Sequence, residues 1–91
     1  MKLLESKVAI VTGGSRGIGK AICQSFAENG CDVAFTYNNS KESAENLANE
    51  LNDMGVKAKA YKSDASSFDD SSKLIDDVIS DFGKIDILVN N

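Results

Sequence analysis

The chain has no histidine, no tryptophan, no proline and only two cysteines. Without histidine, Ser-His-Asp and Cys-His nucleophile pairs are excluded, and so are histidine-based metal sites. No metal site is expected. Cys23 and Cys31 are too few for a disulfide framework and are expected to be small buried hydrophobes. No apolar run approaches the ~20 residues that span a bilayer, and the N-terminal residues lack a secretory apolar core. A cytoplasmic protein without a membrane partner is therefore expected. A net charge of −4 disfavours a nucleic-acid partner, which calls for a basic surface. Ninety-one residues make one domain at most.

What is present is concentrated near the start. Thr12-Gly13-Gly14-Ser15-Arg16-Gly17-Ile18-Gly19 follows the apolar run Val8-Ala9-Ile10-Val11 and precedes an amphipathic stretch. Strand, glycine-rich turn and helix in that order form a phosphate cradle. Backbone N–H groups and the positive end of the helix dipole converge there. Glycine lets a ligand approach the backbone closely.

The hydrophobic period alternates along the rest of the chain. Lys7 to Thr12 reads as a buried strand, and Ile18 to Asn29 as a helix with Ile18, Ile22 and Phe26 at helical spacing, stopped by Gly30. Asp32 to Tyr37 is a second strand. Asn39 as N-cap with Glu42 at N3 reads as a capping box opening a helix that ends near Met54. Val56 to Lys62 alternates like an edge strand. A third helix, capped by Ser66 or Ser67, reaches Phe82 with Leu74, Ile75, Val78, Ile79 and Phe82 as its buried stripe. Ile85 to Asn90 is a fourth strand. The βαβαβαβ order predicts an α/β fold: a Rossmann-type doubly wound parallel sheet, order 3-2-1-4, with three helices. The first two helices should cover one face and the third the other.

The spacing G-x-G-x-x-G fails here. The longer pattern Thr12-Gly13-x-x-x-Gly17-Ile18-Gly19, with Asp64 after the third strand and Asn90-Asn91 after the fourth, resembles the short-chain dehydrogenase/reductases. The segments KVAIVTGGSRGIGKAI and DILVNN are most similar to the 3-oxoacyl-acyl-carrier-protein reductases, and sugar and steroid reductases share nearly the same N-terminal half. The resemblance implies that residues 1–91 are the N-terminal dinucleotide-binding part of a single Rossmann domain, roughly its first third. It implies a cytoplasmic enzyme of fatty-acid synthesis, a homo-oligomer (tetramer) as the full-length protein, whose partner is an acyl-carrier-protein thioester or a small ketone. The family's catalytic Ser and Tyr-x-x-x-Lys pair belong downstream. No catalytic residue is assigned here, and these residues alone are expected to be inactive. Tyr37-x-x-x-Lys41 matches the bare spacing but stands at the adenosine end of the site.

Within that resemblance Gly13 carries the tight turn, and Gly17 and Gly19 the close packing of helix, strand and cofactor. Gly14, Ser15 and the amides of Arg16 to Ile18 belong to the pyrophosphate or ribose cradle. Thr12 orients the turn by bonding toward Asn90. Asp64 and Ala65 are implied at the adenine, with helix capping as the other role open to Asp64. Asn91 is implied at a cofactor ribose. Cofactor choice is read at the end of the second strand, where NAD-preferring folds carry an acidic residue. Here stand Thr36, Tyr37, Asn38, Asn39 and Ser40, none of them acidic, and Arg16 can pair with a 2′-phosphate. NADP(H) is the expected cofactor. Two other functions stay open at this point: a non-catalytic nucleotide-binding module, and an interaction fragment pairing through an exposed edge strand.

Overall fold

A computed structural model describes residues 3–15, 17–63 and 68–91. The elements run β1 (Val8–Val11), α1 (Gly17–Glu28), β2 (Asp32–Tyr37), α2 (Lys41–Asp53), β3 (Ala58–Lys62), α3 (Phe68–Phe82) and β4 (Ile87–Val89). All strand pairs are parallel and the sheet order is β3-β2-β1-β4, the expected doubly wound arrangement. The central strand β1 is buried at every residue, as its unbroken apolar run requires. Its register with both neighbours, Val11↔Phe35 and Val11↔Val89, aligns the C-terminal ends of three strands along one rim.

Helices α1 and α2 cover one face, where Val11, Val33, Phe35, Leu47 and Leu51 form the larger core. Helix α3 covers the other, placing Leu74 and Val78 against Val8, Ile10 and Ala34. Phe35 is fully buried, and burying a side chain of that size contributes ~2–3 kcal/mol. Cys23 and Cys31 are free and buried, as expected. Among the described residues no helix is long and apolar enough to cross a membrane.

Three local expectations need correction. The buried face of α1 is Gly19, Cys23 and Ala27, while Ile18 is 73% exposed. Small residues face the sheet because α1 lies so close to the turn that larger ones do not fit. The N-cap of α2 is Ser40, one residue later than Asn39, and it makes no side-chain capping bond. The helix opens with the Ala44 N–H donating to the Ser40 carbonyl at 2.9 Å. Glu42 therefore falls at N2, out of reach of a capping box, which needs its acceptor at N3. On α3, Ile75 and Ile79 are 37% and 47% exposed. They follow Leu74 and Val78 in the chain at the margin of the buried stripe, and no described element covers them. The expected caps Ser66 and Ser67 lie outside the described residues.

Strand β3 is the edge strand that its alternation predicts. Its first residue is tied to the end of α2 by one side chain. Asn52 Oδ1 accepts from the Ala58 N–H at 2.9 Å, and Asn52 Nδ2 donates to the Ala58 carbonyl at 3.2 Å.

Candidate cofactor-binding site

The chain leaves β1 toward β2 on one face of the sheet and returns from β3 to β4 across the other. Beside β1 the connections diverge, and a crevice opens at the strands' C-terminal ends, the position where such sheets take ligands. A cleft of about 240 Å³ occupies it. Every strand contributes to the cleft: Thr12 and Gly13 after β1, Thr36 to Asn38 from β2, Ser63 after β3, and Asn90 and Asn91 after β4.

The glycine turn is gripped from both sides. Gly13 adopts φ +65°, a left-handed conformation that glycine holds without strain. Its N–H donates to Thr36 Oγ1 at 2.8 Å, and the next amide, Gly14 N–H, donates to the Thr36 carbonyl at 3.0 Å. From the other side Asn91 Nδ2 donates to the Gly13 carbonyl at 3.3 Å. Thr12 completes the frame. Its hydroxyl accepts the Asn91 N–H at 2.9 Å, and as a donor its Oγ1 lies 3.3 Å from both the Val89 carbonyl and Asn90 Oδ1. This is the orienting contact toward Asn90 that the sequence suggests for Thr12.

Helix α1 rises directly from this turn. A Cβ on Gly19 would stand 2.2 Å from the Gly13 carbonyl oxygen and 2.9 Å from Asn91 Nδ2. A Cβ on Gly14 would stand 2.7 Å from the Phe35 Cβ and 2.9 Å from Cys23 Sγ. Gly19 and Gly14 thus permit the helix and strand to close on each other. Gly17 differs: it has φ +63° and open space where its side chain would be. The cradle has its free room at Gly17, and the Gly13 and Gly14 amides are already committed within the protein.

The predicted site residues divide by place. Gly13, Tyr37, Asn38 and Asn91 line the cleft. Gly14 and Ser15 are buried under the turn, Gly17 and Ile18 are exposed at the head of α1, and Gly19 is buried against Gly13. Asn39 is exposed and Ser40 caps α2, and neither lines the cleft. Arg16, Asp64 and Ala65 lie outside the described residues. The lining also contains Thr36, which the sequence places in this region without a role of its own, and Ser63, which sequence reasoning missed. Their signal was positional: each stands at the C-terminal end of a strand, on the rim to which a parallel sheet directs its ligand.

No charged side chain lines the cleft among the described residues. Lys41 turns away to Glu45, 3.9 Å distant, so Tyr37 and Lys41 do not form a working pair. Beneath the turn, burial pushes the Cys23 thiol up to about 12. Among the described residues no group of three or more Cys, Asp or Glu side chains could hold a metal ion. A neutral polar rim, a glycine turn open at Gly17 and a helix N-terminus beside it fit the phosphate and ribose groups of a dinucleotide.

A family model for the short chain dehydrogenases matches residues 7–91. The chain belongs to this family. Among curated short-chain dehydrogenases it is 46% identical to the NADP-dependent mannitol dehydrogenase of Alternaria alternata, over 97% of this chain and 34% of that enzyme. It is 42% identical to the 3-oxoacyl-acyl-carrier-protein reductase FabG of Staphylococcus epidermidis, over 94% of this chain and 35% of that one. Among solved short-chain dehydrogenases, one from Burkholderia cenocepacia in complex with NADP superposes with a TM-score of 0.94 at 43% identity, covering 97% of this chain and 36% of that one. The chain spans about a third of the length of the short-chain dehydrogenases it matches.

Proposed function

We propose that residues 1–91 form the NADP(H)-binding part of a reductase that acts on a ketone, with a 3-oxoacyl-acyl-carrier-protein thioester as the substrate. The observation that carries the cofactor reading is the neutral rim. Thr36, Tyr37 and Asn38 end β2 without a carboxylate, so nothing there repels a 2′-phosphate or claims a 2′-hydroxyl. The NADP complex of the Burkholderia relative and the NADP-dependent mannitol dehydrogenase support it. The likeness to the acyl-carrier-protein reductases in the segments flanking the glycine turn and at Asn90-Asn91 supports the substrate, and the mannitol dehydrogenases are its competitor.

When bound, the nicotinamide supplies the hydride that reduces a carbonyl. This chain's own residues do the holding. Gly17 keeps the turn open to phosphate and Gly13 sets its shape, with Ser15 and Arg16 in the same turn and Ile18 at the head of α1. Gly14 and Gly19 let α1 aim its N-terminus at that point. We assign Tyr37 and Asn38 to the adenosine ribose and its phosphate, with Asn39 and Ser40 following them in the chain, Asp64 and Ala65 to the adenine, and Asn91 to the second ribose. The groups that protonate the reduced carbonyl belong to the part of the enzyme beyond these residues.

Fluorescence titration with NADPH and NADH tests the cofactor. NADPH should bind at least about tenfold tighter, a difference of ~1.4 kcal/mol. Equal or tighter NADH binding overturns the reading. Comparing turnover of an acyl-carrier-protein thioester with that of mannitol, by the whole enzyme, tests the substrate.

A further inference from the structure

Resting on the NADP(H) reading above, we propose that Thr36 is a positioning residue for the cofactor turn, acting through its hydroxyl on Gly13. Thr36 is the penultimate residue of β2 and is only 6% exposed. A β-branched residue suits that strand position, and valine would serve as well for packing alone. The hydroxyl therefore needs its own reason. A polar atom buried at a strand end is costly unless paired, and this one is paired: it accepts the Gly13 N–H at 2.8 Å.

That bond falls on the residue whose conformation decides the turn. Gly13 stands at φ +65°, and glycine leaves such a conformation as readily as it enters it. Two side chains hold it: Thr36 on the N–H, and Asn91 on the carbonyl at the longer distance of 3.3 Å. The Thr36 carbonyl also takes the Gly14 N–H, but any residue supplies a carbonyl. Only the hydroxyl is specific to this side chain. Among the described residues no acceptor competes for its orientation, so the oxygen is free to present a lone pair to Gly13. Cofactor affinity then depends on a residue that lines the cleft from the neighbouring strand.

Three variants test this: Thr36→Val, Thr36→Ser, and Val56→Ala as a destabilised control remote from the cleft. In the ligand-free protein, the Gly13 amide should exchange with solvent at least tenfold faster in Thr36→Val and within about twofold of the parent in Thr36→Ser, as loss of one hydrogen bond predicts. NADPH should bind about tenfold more weakly to Thr36→Val, the equivalent of ~1.4 kcal/mol, with affinity restored by serine. Val56→Ala should keep the parent's affinity at a similar loss of stability. Parent-like NADPH affinity in Thr36→Val overturns the inference, as does an equal loss of affinity in Val56→Ala. Should the parent itself not bind NADPH, the proposed function falls. The Gly13 exchange rates then decide the positioning role alone, and an unchanged rate in Thr36→Val ends it.

Discussion

The carbonyl oxygen of Gly13 occupies the space that a side chain on Gly19 would need, 2.2 Å from the position of a Cβ. The obstacle is backbone, fixed by bonds to β2 and β4, and cannot swing aside like a flexible side chain. Gly19→Ala should therefore move either the turn or the helix. Overpacking costs ~1–3 kcal/mol, and a rigid obstacle places this change at the upper end. Denaturant unfolding should show that loss, and NADPH titration should show affinity falling with it. A fully stable Gly19→Ala protein with parent-like affinity would refute the close-packed turn.

Asn38→Asp should move cofactor preference toward NADH. The residue lines the cleft at the end of β2. A carboxylate there repels a 2′-phosphate and accepts from a 2′-hydroxyl. NADPH affinity should drop by roughly tenfold or more while NADH affinity rises, on ordinary charge–charge magnitudes. Titration of both cofactors measures the ratio. An unchanged ratio removes Asn38 from the recognition of that group.

Neither cysteine should react in the native protein. Burial lifts Cys23 to about 12 and Cys31 to about 11, the latter aided by the negative charge of Asp32. At pH 8 the Cys23 thiolate is then about 1 part in 10,000, and the thiolate is the reacting species. A chromogenic thiol reagent should report no release until denaturant is added, then two equivalents. Rapid labelling of Cys23 in the folded protein would show α1 opening from the sheet.

Asp81 should give the fold an acid-sensitive tie. Its carboxylate accepts the Tyr61 hydroxyl at 2.6 Å and pairs with Lys59 at 2.9 Å. These bonds, Tyr61 first and Lys59 next, hold its pKa below the usual carboxylate value. The contribution is thus present above the ordinary carboxylate range and lost as pH falls through the lowered folded value. Tyr61 runs the other way. Burial, the same hydrogen bond and the charge of Asp81 raise it above the ordinary tyrosine value. Its contribution is present below about pH 10 and is lost as pH rises beyond that. Tyr61→Phe should flatten the alkaline limb of a melting-temperature profile, and Asp81→Asn the acid limb. Limbs identical to the parent's would mean these contacts contribute nothing.

Much of this was legible in the chain itself. The unbroken apolar run of β1 and the alternation of β3 placed one strand at the centre and the other at the edge. The spacing of Gly13, Gly17 and Gly19 before a helix marked the turn. The reading went astray where size outweighed hydrophobicity. Ile18, Ile22 and Phe26 carry the stronger apolar signal; Ile22 and Phe26 do pack against the core, but Ile18 is exposed and the fully buried face is Gly19, Cys23 and Ala27, because only small groups fit against Gly13 and Phe35. The role of Thr36 was hidden for another reason: its partner Gly13 lies 23 positions away, and only the pairing of β1 with β2 brings them together. Asn39 and Glu42 have the right types for a capping box, but the helix starts one residue too late to use them.

The two bonds between Asn52 and Ala58 also bear on what the protein does in a crowd. The Lys57 carbonyl points inward to β2, so the peptide groups of Ala58 point outward along the free margin of the sheet. Such a margin is a template on which a strand from another molecule can add. Asn52 answers both groups of Ala58 with its own carboxamide, as a neighbouring strand would, and Lys57 and Lys59 flank it with charge. The start of β3 is thereby closed to self-association. Asn52→Ala should leave the cofactor cleft intact and make the protein more prone to aggregate.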